Sequence, residues 1–262
     1  MQQQKILQKK YEGLTPDEKE ELLKLEESVE LEKAKPNIIG NFLSFVKYVW
    51  PEFIEGSHHK IINKKFNDLA EGKVKRLIIN MPPRHTKSEF ASYLLPAWMI
   101  GKDPKLKIIQ ATHTADLAID FGRKTKNLVD QDNYRELFST RLQEDSKAAG
   151  KWKTEQGGEY FAAGVGGAIT GRGANLLIID DPHKEQDIKK DSKSFDKAWN
   201  WYTSGPRQRL QPGGAIVVVM TRWSTKDITG QLLKAQTEEG SDQWEVVELP
   251  AILPDGEPVW PE

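Results

Sequence analysis

Three short apolar runs, each breaking off abruptly at polar residues, constrain this chain more than any other feature. Residues 77–79 (Leu-Ile-Ile) lead into Asn80 and the stretch Met-Pro-Pro-Arg-His-Thr-Lys-Ser at 81–88. Residues 176–179 (Leu-Leu-Ile-Ile) stop at Asp180 and Asp181, followed by Pro182, and residues 215–220 stop at Thr221 and Arg222. Runs of this length and composition read as strands covered on both faces, the habit of parallel sheets. Further strands are expected at 74–80, 106–111, 159–163 and 244–249. Helices are expected at 88–101 (with Pro96 as a break or kink), 114–129, 133–142, 193–202 and 226–236. Strands alternating with helices predict an α/β fold, a mainly parallel β-sheet flanked by helices with right-handed crossovers.

The first run ends in a loop that closes on Lys87 and Ser88, with a helix directly after it. Strand, loop, Lys-Ser and helix form the layout of a phosphate-binding loop, where loop amides and the helix dipole face phosphate oxygens. On this reading Pro83, Arg84, His85, Thr86, Lys87, Ser88 and Glu89 line a nucleotide, Lys87 reaches the terminal phosphates, and Ser88 holds Mg²⁺. The spacing fits G-x-x-x-x-G-K-[ST], but Met81 and Thr86 stand where the pattern has glycine. Thr86 matters more, because the position before the Lys often needs backbone freedom. The alternative is an ordinary strand-to-helix turn with one exposed lysine.

The second run fits a Walker B strand, whose C-terminal end should share a sheet edge with the loop. Asp180 would anchor Mg²⁺, and Asp181 would orient and polarise the attacking water; an acidic turn at a strand end is the alternative. In additional-strand (ASCE) P-loop ATPases, the strand between these two ends in a polar residue that senses the γ-phosphate. Thr221 is the candidate, with Arg222 a sensor or an exposed turn residue. A glycine-rich stretch at 164–173 surrounds Arg172. Flexible glycines suit an arginine finger offered to a neighbouring subunit; a hairpin turn with a surface arginine is the alternative.

Composition narrows the classes. A formal net charge of −1 gives no global case for nucleic-acid binding, so any basic surface must be local. With no cysteines, disulfides and thiolate metal sites are excluded. There is no secretory h-region and no apolar run long enough to span a bilayer, so an intracellular location is expected. Residues 1–36 form a charged, helical arm, with Thr15 as N-cap and Pro16 at N1, that either packs on the domain or docks a partner. Aromatics between Phe42 and Phe53 read as core. His58 and His59 make a poor metal site, but they precede the loop strand and have a possible place beside an adenine.

Taken together and in this order, Met81-Pro-Pro-Arg-His-Thr-Lys-Ser, Thr170-Gly-Arg-Gly-Ala, Leu176-Leu-Ile-Ile-Asp-Asp-Pro and Val219-Met-Thr-Arg-Trp resemble the large terminase subunit of tailed double-stranded DNA bacteriophages. The resemblance runs from about residue 40 to the end. It implies an ATPase domain at 37–249 that hydrolyses ATP with Mg²⁺ and drives double-stranded DNA into the procapsid in the host cytoplasm. It further implies a homo-oligomeric ring, usually a pentamer on the portal protein, served by a small terminase subunit. Carried over residue by residue, Lys87, Ser88 and Asp180 bind phosphate and Mg²⁺, and Asp181 is catalytic. Thr221 couples hydrolysis to motion, Arg84 contacts the γ-phosphate in cis, and Arg172 is the trans-acting finger. The family usually has Gly where Thr86 stands, which bears on loop flexibility and nucleotide affinity. Residues 250–262 resemble the start of the linker to a nuclease domain, so no nuclease activity is expected of this chain. Sequence-independent DNA contacts are expected from Arg123, Lys124 and Lys126, and from Lys189, Lys190 and Lys193. Two rival readings are an assembly module with a degenerate loop and another additional-strand enzyme such as a helicase.

Overall fold

A computed structural model describes residues 13–146, 148–169, 171–184 and 193–259. Seven strands form one sheet: β1 (Arg76–Asn80), β2 (Lys107–Thr112), β3 (Lys151–Lys153), β4 (Glu159–Gly164), β5 (Ala174–Asp180), β6 (Leu210–Met220) and β7 (Glu245–Glu248). Their order is β3-β4-β2-β5-β6-β1-β7, and every pairing is parallel except β3 with β4. The mixed α/β class with a mainly parallel sheet is therefore as the apolar runs predict. β6 lies between the loop strand β1 and the acid-bearing strand β5, which is the additional-strand arrangement.

The strands alternate their side chains between two cores. On β5, Leu176 and Ile178 join the core built with α1 (Pro16–Gly40), α2 (Phe42–Val49), α3 (Ser57–Ala70) and α4 (Leu95–Lys102). Leu177 and Ile179 join the opposite core with α7 (Lys193–Ser204) and α8 (Ile228–Ala235). The period of two in a run apolar at every position is what covers both faces. Two further α-helices among the described residues are α5 (Ala115–Val129) and α6 (Asp132–Leu137). Phe42 packs edge-on against Phe66, Phe90 and Trp98; Phe42 and Phe45 are core, as expected, while Tyr48, Trp50 and Phe53 are partly buried against it.

Local chemistry explains the element ends. Thr15 and Glu18 form a reciprocal capping box at the start of α1, and Pro16 takes the first turn. The helix after the loop starts at Lys87 but widens into a π-helical segment, Glu89–Leu94, where the Leu95 N–H donates to the Phe90 carbonyl. Pro96 lacks an N–H and its ring crowds the carbonyl four residues earlier, so the wide turn just ahead of it replaces the expected kink. The helix expected at 133–142 is cut short at Leu137. Phe138 turns extended to bury its ring, and the Arg141 guanidinium donates to the Phe138 and Arg135 carbonyls at that end. Among the described residues, no helix is long and apolar enough to cross a membrane.

Candidate active site

The C-terminal ends of β1, β5 and β6 meet at one sheet edge, where open α/β sheets bind ligands. β1 delivers the loop at 81–88, which opens onto a shallow cleft of about 290 Å³ lined by Arg84, Thr86, Lys87, Ser88 and Glu89. Lys87 is buried, and its Nζ lies 2.8 Å from Asp181 Oδ2. Ser88 Oγ donates to Asp180 Oδ1 at 3.1 Å. From β6, the Thr221 N–H donates to Asp181 Oδ1 at 2.9 Å, and the Thr221 hydroxyl donates to the Met81 carbonyl at 3.3 Å. One residue thus touches both the first loop position and the second strand acid.

The two acids sit in different surroundings. Asp180 is 1% exposed, and burial beside Asp181 pushes its carboxyl well above the usual carboxylate range, to about 7. Hydroxyls from Ser88 and Ser92 partly oppose that shift by favouring the charged form, with Ser92 Oγ donating to Asp180 Oδ2 at 2.8 Å. Asp181 is more open, and Lys87 and Thr221 hold it in place. Its φ of 39° lies in the left-handed region, where strained backbone at a strand end is a common mark of a working site.

The donor set suits a magnesium ion. Among the described residues no three acidic, histidine or cysteine side chains cluster to make a protein-only metal cage. Mg²⁺ is commonly held by one or two carboxylates together with waters and substrate phosphates. A hydroxyl and a buried carboxylate 3.1 Å apart, beside a buried lysine, match that habit.

Loop geometry answers the question raised by the absent glycines. Arg84 and Thr86 have φ of 64° and 63°. For a residue other than glycine this conformation costs about 1–2 kcal/mol, so position 86 has the backbone that the glycine of the pattern serves. The Thr86 hydroxyl donates to the His85 carbonyl at 2.6 Å, and His59 Nε2 lies 2.7 Å from Thr86 Oγ1. His59 is fully buried, and burial together with the neighbouring His58 drops its pKa to about 3, so it is neutral. The His59 ring packs against Phe53 and Phe90 and reaches the loop, which is the placement found for the histidine pair.

Of the other expected site residues, those of the loop stay at the cleft, and Arg172 does not reach it. Arg84 is exposed at the loop tip, the Pro83 carbonyl accepts from His85 Nδ1 at 2.9 Å, and Glu89 pairs with Lys124 at 2.8 Å. Arg222 is paired with Asp227 and Glu248. Arg172 is not brought to this edge. It stands before β5 at the opposite edge, paired with Glu159 and with its guanidinium 4.1 Å from the Phe161 ring centroid. The stretch around it is a connection between parallel strands β4 and β5, not a hairpin. Of the lysine and arginine groups expected to touch DNA, Arg123 pairs with Asp120 and Lys124 with Glu89, while Lys126 is half-buried. Lys189 and Lys190 lie outside the described residues, as does the side chain of Lys193.

Sequence reasoning missed Ser92, Asp227 and the role of His59. Ser92 follows Ser88 by four residues, so helical spacing was the available signal. Asp227 caps α8 and accepts from the Trp223 and Ser224 amides, fixing the turn after Thr221. No protein-family model matches the chain, and no curated protein matches it. Among solved structures it is similar to the crystal structure of the HK97 bacteriophage large terminase, at 13% identity and a TM-score of 0.48. The match covers 76% of this chain, which spans 40% of that one.

Proposed function

We propose that this chain is an ATP-hydrolysing motor domain of the terminase large subunit type, using Mg²⁺-ATP to move double-stranded DNA. The observation that carries the reading is the meeting of Lys87 and Ser88, Asp180 and Asp181, and Thr221 at one edge of a sheet with β6 inserted between β1 and β5. Mg²⁺ supplies charge neutralisation at the phosphates, and Ser88 and Asp180 are the residues to hold it. Lys87 exchanges Asp181 for phosphate oxygens when ATP binds. The freed Asp181 carboxylate orients water for attack on the γ-phosphorus and takes its proton as the bond to the bridging oxygen breaks, leaving ADP and inorganic phosphate. Thr221 reports the change at Asp181 back to Met81, the first residue of the loop, because its amide and hydroxyl hold one each.

The motor setting follows the sequence resemblance. The proposed partners are duplex DNA gripped through phosphates, a portal protein, a small terminase subunit and further copies in a ring, all in the host cytoplasm. Arg172 stands at the other sheet edge, so it would enter an active site only as a neighbour's residue. The test is Mg²⁺-dependent ATP hydrolysis over a range of protein concentrations, beside Asp181→Asn. Hydrolysis that depends on Asp181 supports the reading, and a rate rising faster than linearly with concentration adds the ring. No hydrolysis and no ATP binding at any concentration overturns it in favour of an assembly module with a degenerate loop.

A further inference from the structure

His59 belongs to α3, an element before the loop strand, yet its side chain ends on the loop. The Gly56 N–H donates to His59 Nδ1 at 2.8 Å, so that nitrogen is unprotonated. In the neutral ring the proton is then on Nε2, which donates to Thr86 Oγ1 at 2.7 Å. The Thr86 hydroxyl in turn donates to the His85 carbonyl at 2.6 Å. The chain of donors runs one way, from the α3 N-terminus to the loop backbone. It ends on a β-branched residue at φ 63°, a conformation that such residues rarely adopt. Phe53 and Phe90 flank the imidazole with ring centroids at 4.7 and 4.9 Å, so it cannot swing away from the loop.

We propose that His59 and Thr86 together replace the second glycine of the phosphate loop. His59 is a positioning residue that holds Thr86 left-handed and thereby sets Lys87 and Ser88 for a nucleoside triphosphate; this rests on the proposed function above. Where glycine gives a loop that is free to adopt this shape, the pair gives a loop that is fixed in it. Two consequences separate this from a purely structural histidine. Only the Nε2 side of the ring matters for the ligand, and His59 matters only while residue 86 has a side chain.

The test uses the full chain and a fluorescent ATP analogue with Mg²⁺, with thermal unfolding followed in parallel. His59→Gln keeps a donor near Nε2 but not the acceptor to Gly56, whereas His59→Asn keeps the acceptor and loses the reach to Thr86. The expected result is analogue affinity within about threefold of the parent for His59→Gln, and at least tenfold weaker for His59→Asn. In a Thr86→Gly background both substitutions should change affinity by less than about twofold. Equal losses in the two backgrounds, or no loss for His59→Asn, overturn the inference. If the parent chain binds no analogue, the proposed function fails instead. The His59–Thr86 link is then judged by amide hydrogen exchange at residues 84–88, which His59→Asn must accelerate in the parent and leave unchanged beside Thr86→Gly. Unchanged exchange in the parent overturns the link itself.

Discussion

At its C-terminal end, β5 delivers Asp180 and Asp181 into a cluster with one lysine, two serines and the end of β6. At its N-terminal end, about 20 Å away along the strand, Arg172 pairs with Glu159 and lies over Phe161. In the sequence both ends look functional, one an apolar run closing on two acids, the other an arginine among glycines. The difference lies in what each charge has to do within the chain. Arg172 is matched by one carboxylate and one ring. Asp180 and Asp181 share a single cation, and Asp180 is buried beside a like charge that raises its pKa. Charge held at a cost in the folded chain marks a candidate ligand site, while charge already matched within the chain gives no such sign.

The sharpest way to break this contrast is at Asp181. Asp181→Asn should lower ATP turnover by about 10²–10⁴-fold, the usual range for a positioned acid or base, with analogue binding kept. Steady-state kinetics beside an analogue titration separates the two. If turnover survives, the acids at the C-terminal end of β5 are no more functional than Arg172 at the other end. Lys87→Ala comes next: analogue affinity should fall by about a hundredfold, as expected from losing a charged phosphate contact of about 3 kcal/mol. Arg172→Ala should leave affinity unchanged in the same titration at dilute protein.

How much of this was legible in the sequence depends on the range of the interaction. Most strands were readable because each apolar run had to be covered on two faces, and the place of β6 between β1 and β5 could be argued from loop, acids and polar strand end; β3, three residues long, was not. Lys87, Ser88, Asp180, Asp181 and Thr221 fell where spacing put them, since the C-terminal edge of a parallel sheet collects whatever ends its strands. Arg172 shows the limit of that reading: a glycine-rich context reports backbone freedom, not which edge the residue reaches. Its partner Glu159 lies on β4, which is not even adjacent to β5. Thr86 reads as a defect in a glycine pattern until His59, from another helix, is seen to bind it. Hydrogen bonds between elements leave no local mark in sequence.

A smaller effect sharpens the contrast from the buried side. A histidine kept neutral in the fold, with its pKa lowered to about 3, binds its proton more weakly than in the unfolded chain. Its contribution to stability is present above the ordinary histidine value near 6.5 and is lost as pH falls from there toward 3, at up to about 1.4 kcal/mol per pH unit. Among the described residues, the charges of His58 and His85 oppose its charged form and Glu55 favours it. His59→Gln should therefore flatten the acid limb of the stability curve between pH 6 and about 4, relative to the parent, in urea unfolding followed by tryptophan fluorescence. Parallel curves would mean that His59 takes up its proton without cost.

The smallest effect belongs to the far end of β5. Arg172 is a half-buried cation with one carboxylate partner and one aromatic face, so Arg172→Ala should cost about 1–2 kcal/mol of stability, from a pair worth up to about 1 kcal/mol and a similar ring contact. Arg172→Lys should recover part of it, because an ammonium keeps the charge but not the flat stacking surface. Urea unfolding of the three chains measures this. The same variants give a second reading when ATP turnover is followed against protein concentration. If Arg172 only braces β4 and β5, turnover per subunit is unchanged at every concentration once folded protein is matched. If it also completes a neighbour's site, Arg172→Ala keeps the dilute rate and loses the rise at high concentration, since an arginine on the opposite edge from its own loop has no other route to a phosphate.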